Sequence, residues 1–267
     1  MHECMQGVYE MLIVHMSDLH CGPRLKKESL QKAIDEINDM APDIVVVTGD
    51  LTEEGLVTQF QEAKRYLDQL KCKRQIVGSG NHDSRTTGYL LFPKFFGEPS
   101  SVTQLKDTLV VMLNSSRPDR QDGEIGYNQG LWMRQQLDAF DDAFKVIALH
   151  HHLIPVPDTG MEQNIVCDAG DLLWTLTSSK VNLVLCGHRH RPWIWELGNL
   201  PVIHAGTVST DRLRGFYEKT YSIINIEGSK IVAYLKIPGG EKYDFNRDSI
   251  KSAKTALLMK WNVEDAS

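Results

Sequence analysis

Seven side chains of metal-ligand type stand just after five short apolar runs: Asp18 and His20, Asp50, Asn81, His150, and His188 with His190. The runs are 11–16, 44–48, 75–78, 145–149 and 182–186, and their β-branched apolar content predicts strands. Loops at the carboxyl ends of strands are where α/β sheets gather their ligands. Asp, Asn and His without paired Cys favour a hard-to-borderline divalent or trivalent cation over a structural zinc knot.

In Asp18-Leu19-His20 the outer residues are two apart, so an extended backbone aims both the same way. His188-Arg189-His190 repeats that spacing and turns Arg189 away. Glycines precede Asp50, Asn81 by one step and His188, as expected where chain turns sharply and backbone nears a ligand.

The positioning elements follow from periodicity. Leu30, Ile34, Ile37 and Met40 form one helical stripe, ended by Pro42, and Phe60, Ala63, Leu67 and Leu70 form another. The runs 44–47 and 109–113 suit strands buried on both faces. Segments 85–101, 117–128 and 153–170 read as long loops, and a helix is expected around 131–140. Beyond Gly187, strands at 193–197, 202–205, 221–226 and 230–237 follow one another without helices. The pattern predicts an α/β fold, a two-sheet α/β/β/α sandwich of mixed sheets with antiparallel C-terminal strands. Residues 1–10 are expected as a leader, 11–240 as the domain, and 241–267 as a C-terminal extension with an apolar run at 256–261.

The chain has 267 residues, 42% hydrophobic and 24% charged, with a net charge of −6. That balance lacks the basic footprint of a nucleic-acid partner, but it permits a small phosphate ester, because bound metal charge outweighs it locally. Five scattered cysteines support neither a disulfide framework nor a redox motif. With no signal-peptide pattern and no long apolar run, a cytoplasmic protein without a membrane span is expected.

All five motifs in this order, each after a strand, resemble the calcineurin-like metallophosphoesterase superfamily. The chain is most similar to its class III cyclic-nucleotide phosphodiesterase branch, which includes bacterial cyclic-AMP phosphodiesterases. The resemblance covers roughly residues 11–210, including Gly123-Glu124-Ile125-Gly126 and Leu131-Trp132-Met133. It implies that Asp18, His20, Asp50 and His190 bind one metal and that Asp50, Asn81, His150 and His188 bind a second. Asp50 would bridge, and a hydroxide held between the metals would attack phosphorus. The cations would be divalent or mixed-valence manganese, iron, zinc or cobalt. Asn81 and His82 would touch the phosphate, with His82 protonating the leaving oxygen and Asp83 orienting it. His151 is the alternative to His150, because the triple histidine leaves the register open. The implied activity is hydrolysis of small phosphodiesters such as 3',5'-cyclic nucleotides. A phosphomonoesterase or broad phosphatase is the alternative, a nuclease or a non-catalytic scaffold a more distant one. Related enzymes make a homodimer the expected assembly.

Other residues carry narrower expectations. His15 reads as structural, and His204 as a packing residue or a neighbour of the site. Arg117 and Arg120 sit on a distant loop, as solvated charges or as phosphate anchors. With only Arg85 and the averted Arg189 close to the motifs, few fixed cations are expected beyond the metals, which favours diesters over dianionic monoesters.

Overall fold

The computed structural model describes residues 10–214 and 218–246. Two six-stranded mixed sheets stack face to face. In the first, β1 (Glu10–Met16), β2 (Ile44–Val47) and β3 (Arg74–Val77) run parallel. On the other side of β1 lie β10 (Tyr221–Glu227), β11 (Lys230–Lys236) and β12 (Lys242–Asp244), all antiparallel. The second sheet is ordered β4 (Ser101–Leu105), β5 (Thr108–Leu113), β6 (Phe144–Leu149), β7 (Leu183–Cys186), β9 (Leu200–Ala205) and β8 (Pro192–Leu197). Its four central strands are parallel, and β4 and β8 close the edges antiparallel.

Strand alternation builds three apolar layers. Ile13, Ile44 and Val46 meet Val110, Val146 and Leu185 between the sheets. Their neighbours Val14, Val45 and Val47 turn outward onto α1 (Lys27–Met40), α2 (Val57–Leu67) and α3 (Gly88–Phe96). On the far side, Val111, Ile147 and Val184 pack on α4 (Tyr127–Ala139) and α5 (Ala169–Ser178). Strands covered on both faces explain the unbroken apolar runs. The sandwich is the expected α/β/β/α one.

Three local expectations change. The segment 85–101 is not one loop: it holds α3 and β4. Gly88 and Pro93 hid the helix, yet Phe92, Phe95 and Phe96 gather around Phe60, with the Phe60 and Phe95 rings stacked at 5.6 Å. Aromatic packing outweighs helix propensity there. The segment 153–170 leads into α5, which had no sequence signal strong enough to be expected. The strands beyond Gly187 are divided between the sheets, and β9 lies parallel to β7. β12 and the buried Phe245, at the start of the expected 241–267 extension, pack with the first sheet and its core. The leader (1–9), residues 247–267 and the apolar run at 256–261 lie outside the described residues.

Candidate metal centre

The carboxyl ends of β1, β2, β3, β6 and β7 meet along one edge of the sandwich, where the seven ligand-type residues converge. The backbone is bent to bring them there. Asp18, His20, Asp50, His188 and His190 all have left-handed φ, between 49° and 73°. For residues with a Cβ, each such conformation costs on the order of 1 kcal/mol and persists only where surroundings enforce it. Two glycines enforce close approach. A Cβ on Gly80 would collide with the Asp50 carboxylate, and one on Gly187 would collide with Ser17 and crowd Asp18.

The donors form two groups sharing one oxygen. His20 Nε2 and His190 Nε2 lie 2.9 Å apart, and Asp18 Oδ1 sits 3.2 Å from His190 Nε2. Across the cleft, Asn81 Oδ1 lies 2.9 Å from His188 Nδ1 and 3.1 Å from His150 Nε2. Asp50 Oδ2 stands between the groups, 3.6 Å from His20 Nε2 and 3.4 Å from His150 Nε2. The other oxygen, Oδ1, accepts the His82 backbone N–H at 2.8 Å.

Such an arrangement is unfavourable without a cation. His190 Nδ1 donates to the Arg212 carbonyl at 2.6 Å, and His150 Nδ1 donates to the Thr48 carbonyl at 2.7 Å. The Glu53 carboxylate, 3.1 Å from His20 Nδ1, draws a proton to that nitrogen too. In the neutral form of each ring the proton sits on Nδ1, and Nε2 is then a bare lone pair. Lone pairs of His20 and His190 face one another at 2.9 Å. The buried Asp18 Oδ1 beside them has no hydrogen-bond donor. Converging lone pairs and carboxylates, each ring fixed through its other nitrogen, fit cations bound between them.

Charge points the same way. Burial would raise the Asp18 and Asp50 carboxyls, but the surrounding histidines hold both below the ordinary range. Burial lowers His20 to about 4. It would lower His150 as well, but the negative charge of Asp50 pushes that ring up to about 9. The centre attracts positive charge. His151 approaches His150 and His188, but its own nitrogens are taken. Ser115 Oγ lies 2.8 Å from Nδ1, and the Gln121 carbonyl 3.2 Å from Nε2. His150, His151 and His188 can all turn a nitrogen towards one ion, and of the first two His150 is the one standing beside Asp50 Oδ2 and Asn81 Oδ1.

The profile of the calcineurin-like phosphoesterase family matches residues 11–192. The chain belongs to that family. A probable cyclic nucleotide phosphodiesterase from Synechococcus sp. is 29% identical over 61% of this chain and 63% of its own length. The glycerophosphodiester phosphodiesterase GpdQ of Enterobacter lignolyticus is 28% identical over 67% of this chain and 71% of its own. A 3',5'-cyclic adenosine monophosphate phosphodiesterase of Pseudomonas aeruginosa is 24% identical over 72% and 74%. The chain thus aligns with roughly two thirds of these relatives' length. Among solved structures, a purple acid phosphatase from yellow lupin seeds superposes with a TM-score of 0.71 at 14% identity. That superposition covers 89% of this chain and 53% of the other. A dimetal phosphatase from Danio rerio gives 0.61 at 13% identity, over 88% and 99%. These two likenesses concern the fold.

Within this calcineurin-like domain, His82 and Asp83 part company. The His82 ring donates from Nδ1 to the Glu53 carbonyl at 2.6 Å, so the backbone orients it. Asp83 does not touch that ring, contrary to expectation. Its carboxylate accepts from the backbone of Leu51, Thr52 and Gly80 and from the Thr52 hydroxyl, at 2.8–3.1 Å. Burial first, then the charge of Asp50, pushes its carboxyl up to about 7 while these donors pull it back. Asp83 ties the Asp50 loop to the Asn81 loop.

The rim is more cationic than the sequence suggested. Arg85 Nη2 lies 3.1 Å from His82 Nε2, and Arg212 Nη1 lies 3.4 Å from the same atom. Arg212 also donates to Glu53 Oε1 at 2.8 Å, and Arg85 to Glu54 Oε1 at 2.9 Å. Glu53, Arg212 and Gln121 were missed. Gln121 accepts from Asn81 Nδ2 at 3.2 Å, turning Oδ1 of Asn81 towards His150 and His188. Thr207 and Ser209 donate their hydroxyls to the Asp18 and Leu19 carbonyls at 2.7 and 2.8 Å. The signal for this loop was present: β9 is another parallel strand, and the polar run 206–210 follows it as motifs follow the others.

The remaining candidates lie elsewhere. Arg117 pairs with Asp122 and Glu124, and Arg120 with Asp122. Arg189 is buried and faces away, donating to Thr159 at 2.6–3.0 Å. His15 Nε2 binds the Thr48 hydroxyl at 2.9 Å. His204 packs near His152 with ring centroids 6.4 Å apart. Burial lowers both His15 and His204 to about 3.

Proposed function

We propose that this chain is a dinuclear metal-dependent phosphodiesterase acting on small phosphodiesters, 3',5'-cyclic nucleotides among them. The observation that carries the reading is Asp50 Oδ2, standing 3.6 and 3.4 Å from the ring nitrogens of two separate donor groups. Asp18, His20, Asp50 and His190 would hold one cation, and Asp50, Asn81, His150 and His188 the other. Their N/O donors suit manganese, iron, zinc or cobalt. Two such cations, when bound, supply Lewis acidity to phosphoryl oxygens and acidify water at neutral pH.

The chain's own groups complete the site. His82, whose ring meets that of His20 edge-on with centroids 4.7 Å apart, would bind a phosphoryl oxygen and protonate the leaving one. Asp83 holds its loop, and the Glu53 carbonyl fixes its ring. Asn81 would offer its oxygen to the centre, because Gln121 Oε1 accepts from its amide nitrogen. The domain is proposed to run from residue 10 through β12. Among the described residues no helix is long and apolar enough to cross a membrane, and the proposed setting is cytoplasmic, with a homodimer as the assembly.

Support for diesters comes from the relatives, whose names divide between cyclic-nucleotide and glycerophosphodiester phosphodiesterases. A phosphomonoesterase is favoured by one observation, the two guanidinium groups converging on His82. The deciding experiment compares bis(nitrophenyl) phosphate, nitrophenyl phosphate, cyclic AMP and a glycerophosphodiester under one buffer and metal. Higher kcat/KM on the diesters is expected. Faster turnover of the monoester would replace the diesterase reading with the phosphatase one.

A further inference from the structure

We propose that Arg212 binds the phosphate of the substrate and that Glu53, paired with it, biases the site towards esters of single negative charge. The proposal rests on the phosphoesterase reading above and concerns how that site selects among phosphate esters.

Arg212 is tied to the centre at both ends. Its carbonyl accepts from His190 Nδ1 at 2.6 Å, while its guanidinium crosses the cleft to Glu53 Oε1 at 2.8 Å. The same Nη1 lies 3.4 Å from His82 Nε2. A guanidinium carries five donors in a planar fork, and one nitrogen occupied by a carboxylate leaves others for a phosphate oxygen. Arg85 Nη2 approaches the same atom, at 3.1 Å. A phosphoryl group reaching His82 therefore meets two guanidinium groups.

The carboxylates decide what these cations can select. Arg85 pairs with Glu54, whose side chain is 52% exposed, so water and salt screen that charge. Glu53 is 13% exposed and touches Arg212 on one oxygen and His20 on the other. Its charge is therefore screened less than that of Glu54. A monoester near neutral pH carries close to two negative charges, a diester one. Any phosphate that takes up Arg212 must share it with Glu53, and the second charge of a monoester meets that carboxylate with only the more screened Arg85 beside it at the rim. Like charges set so close oppose binding. Glu53 thus withdraws from monoesters much of the advantage that two arginines would give them.

The test uses Glu53→Gln and Arg212→Met on the full chain. Glutamine keeps the size of Glu53 and an oxygen for His20 Nδ1, while the charge and the acceptor facing Arg212 are removed. Methionine keeps the length of Arg212, whose carbonyl still serves His190. Each variant is assayed on bis(nitrophenyl) phosphate and nitrophenyl phosphate, with inorganic phosphate as competitive inhibitor and metal content by elemental analysis. Glu53→Gln should raise the monoester-to-diester ratio of kcat/KM about tenfold and tighten phosphate inhibition. Arg212→Met should raise KM for both esters and weaken phosphate inhibition on the order of tenfold, with its metal retained. The proposal is overturned if Glu53→Gln loses metal or holds the native ratio, or if Arg212→Met binds phosphate as the native protein does. A native enzyme that prefers the monoester would sink the diesterase reading and leave this test intact, because it is read between variants.

Discussion

At the floor of the cleft, seven side chains leave strand ends, with His150 and His190 pinned by backbone carbonyls and Asp83 clamping the Asp50 and Asn81 loops. At the rim, Glu53, Glu54, Arg85 and Arg212 hold one another by ion pairs at 2.8–2.9 Å across loops. The floor's geometry is imposed by two sheets, down to five left-handed residues that only such surroundings sustain. The rim is held by side chains that can exchange partners. The floor can therefore keep a rigid cation geometry while the charge at the rim is altered. That division separates chemistry from specificity, and substitutions in the two regions should fail differently.

The largest effect is expected at the shared ligand. Asp50→Ala removes the oxygen between the two donor groups and the acceptor for the His82 N–H. Its kcat/KM on the best diester should fall by more than the roughly 100-fold typical of residues that only support a ligand. A variant retaining a tenth of native activity would dissolve the distinction between floor and rim. Next comes His82→Ala, expected to keep its metal while kcat falls on the order of 10²–10⁴-fold. The loss should be smaller with a nitrophenolate leaving group, which needs little protonation. Metal loss in that variant would move His82 onto the floor.

Asp83→Asn probes the floor's scaffold instead of its chemistry. The amide turns one acceptor into a donor facing backbone N–H groups of Leu51, Thr52 or Gly80. Denaturant unfolding should show a loss of about 3 kcal/mol, the scale for hydrogen bonds to a buried charged acceptor. Unchanged stability would mean the two loops are held apart from this clamp. The smallest effect belongs to Arg117→Ala. Its partners Asp122 and Glu124 are partly exposed, and such surface pairs contribute at most about 1 kcal/mol. Activity on either ester should stay near native, and a large loss would extend the rim to that loop.

The same division governed what could be read from the sequence. Floor residues follow β-branched runs, and parallel strands carry their C-terminal ends to one edge, so spacing together with the family resemblance picked out Asp18, His20, Asp50, Asn81, His150, His188 and His190. Rim contacts join Glu53 to Arg212 and His82 to Arg212 between loops that have no period and no motif. Asp83 went astray because adjacency to His82 suggested a partner, whereas its carboxylate reaches back to N–H groups at 51, 52 and 80. Helix α3 was hidden by Pro93 and revealed only by the phenylalanine cluster it completes. The two-layer sandwich was legible because runs buried on both faces leave little choice of architecture.

Two cations sharing Asp50 are the centre of this account, and metal titration tests them most directly. The chain is stripped with a chelator, and manganese or zinc is returned in measured equivalents while bound metal and diesterase activity are followed together. Activity should vanish on stripping and return fully only as the second equivalent per chain binds. The Asp50→Ala protein should fail to hold a pair. Full activity at one equivalent, or a stable pair of ions without Asp50, would contradict the shared-carboxylate centre.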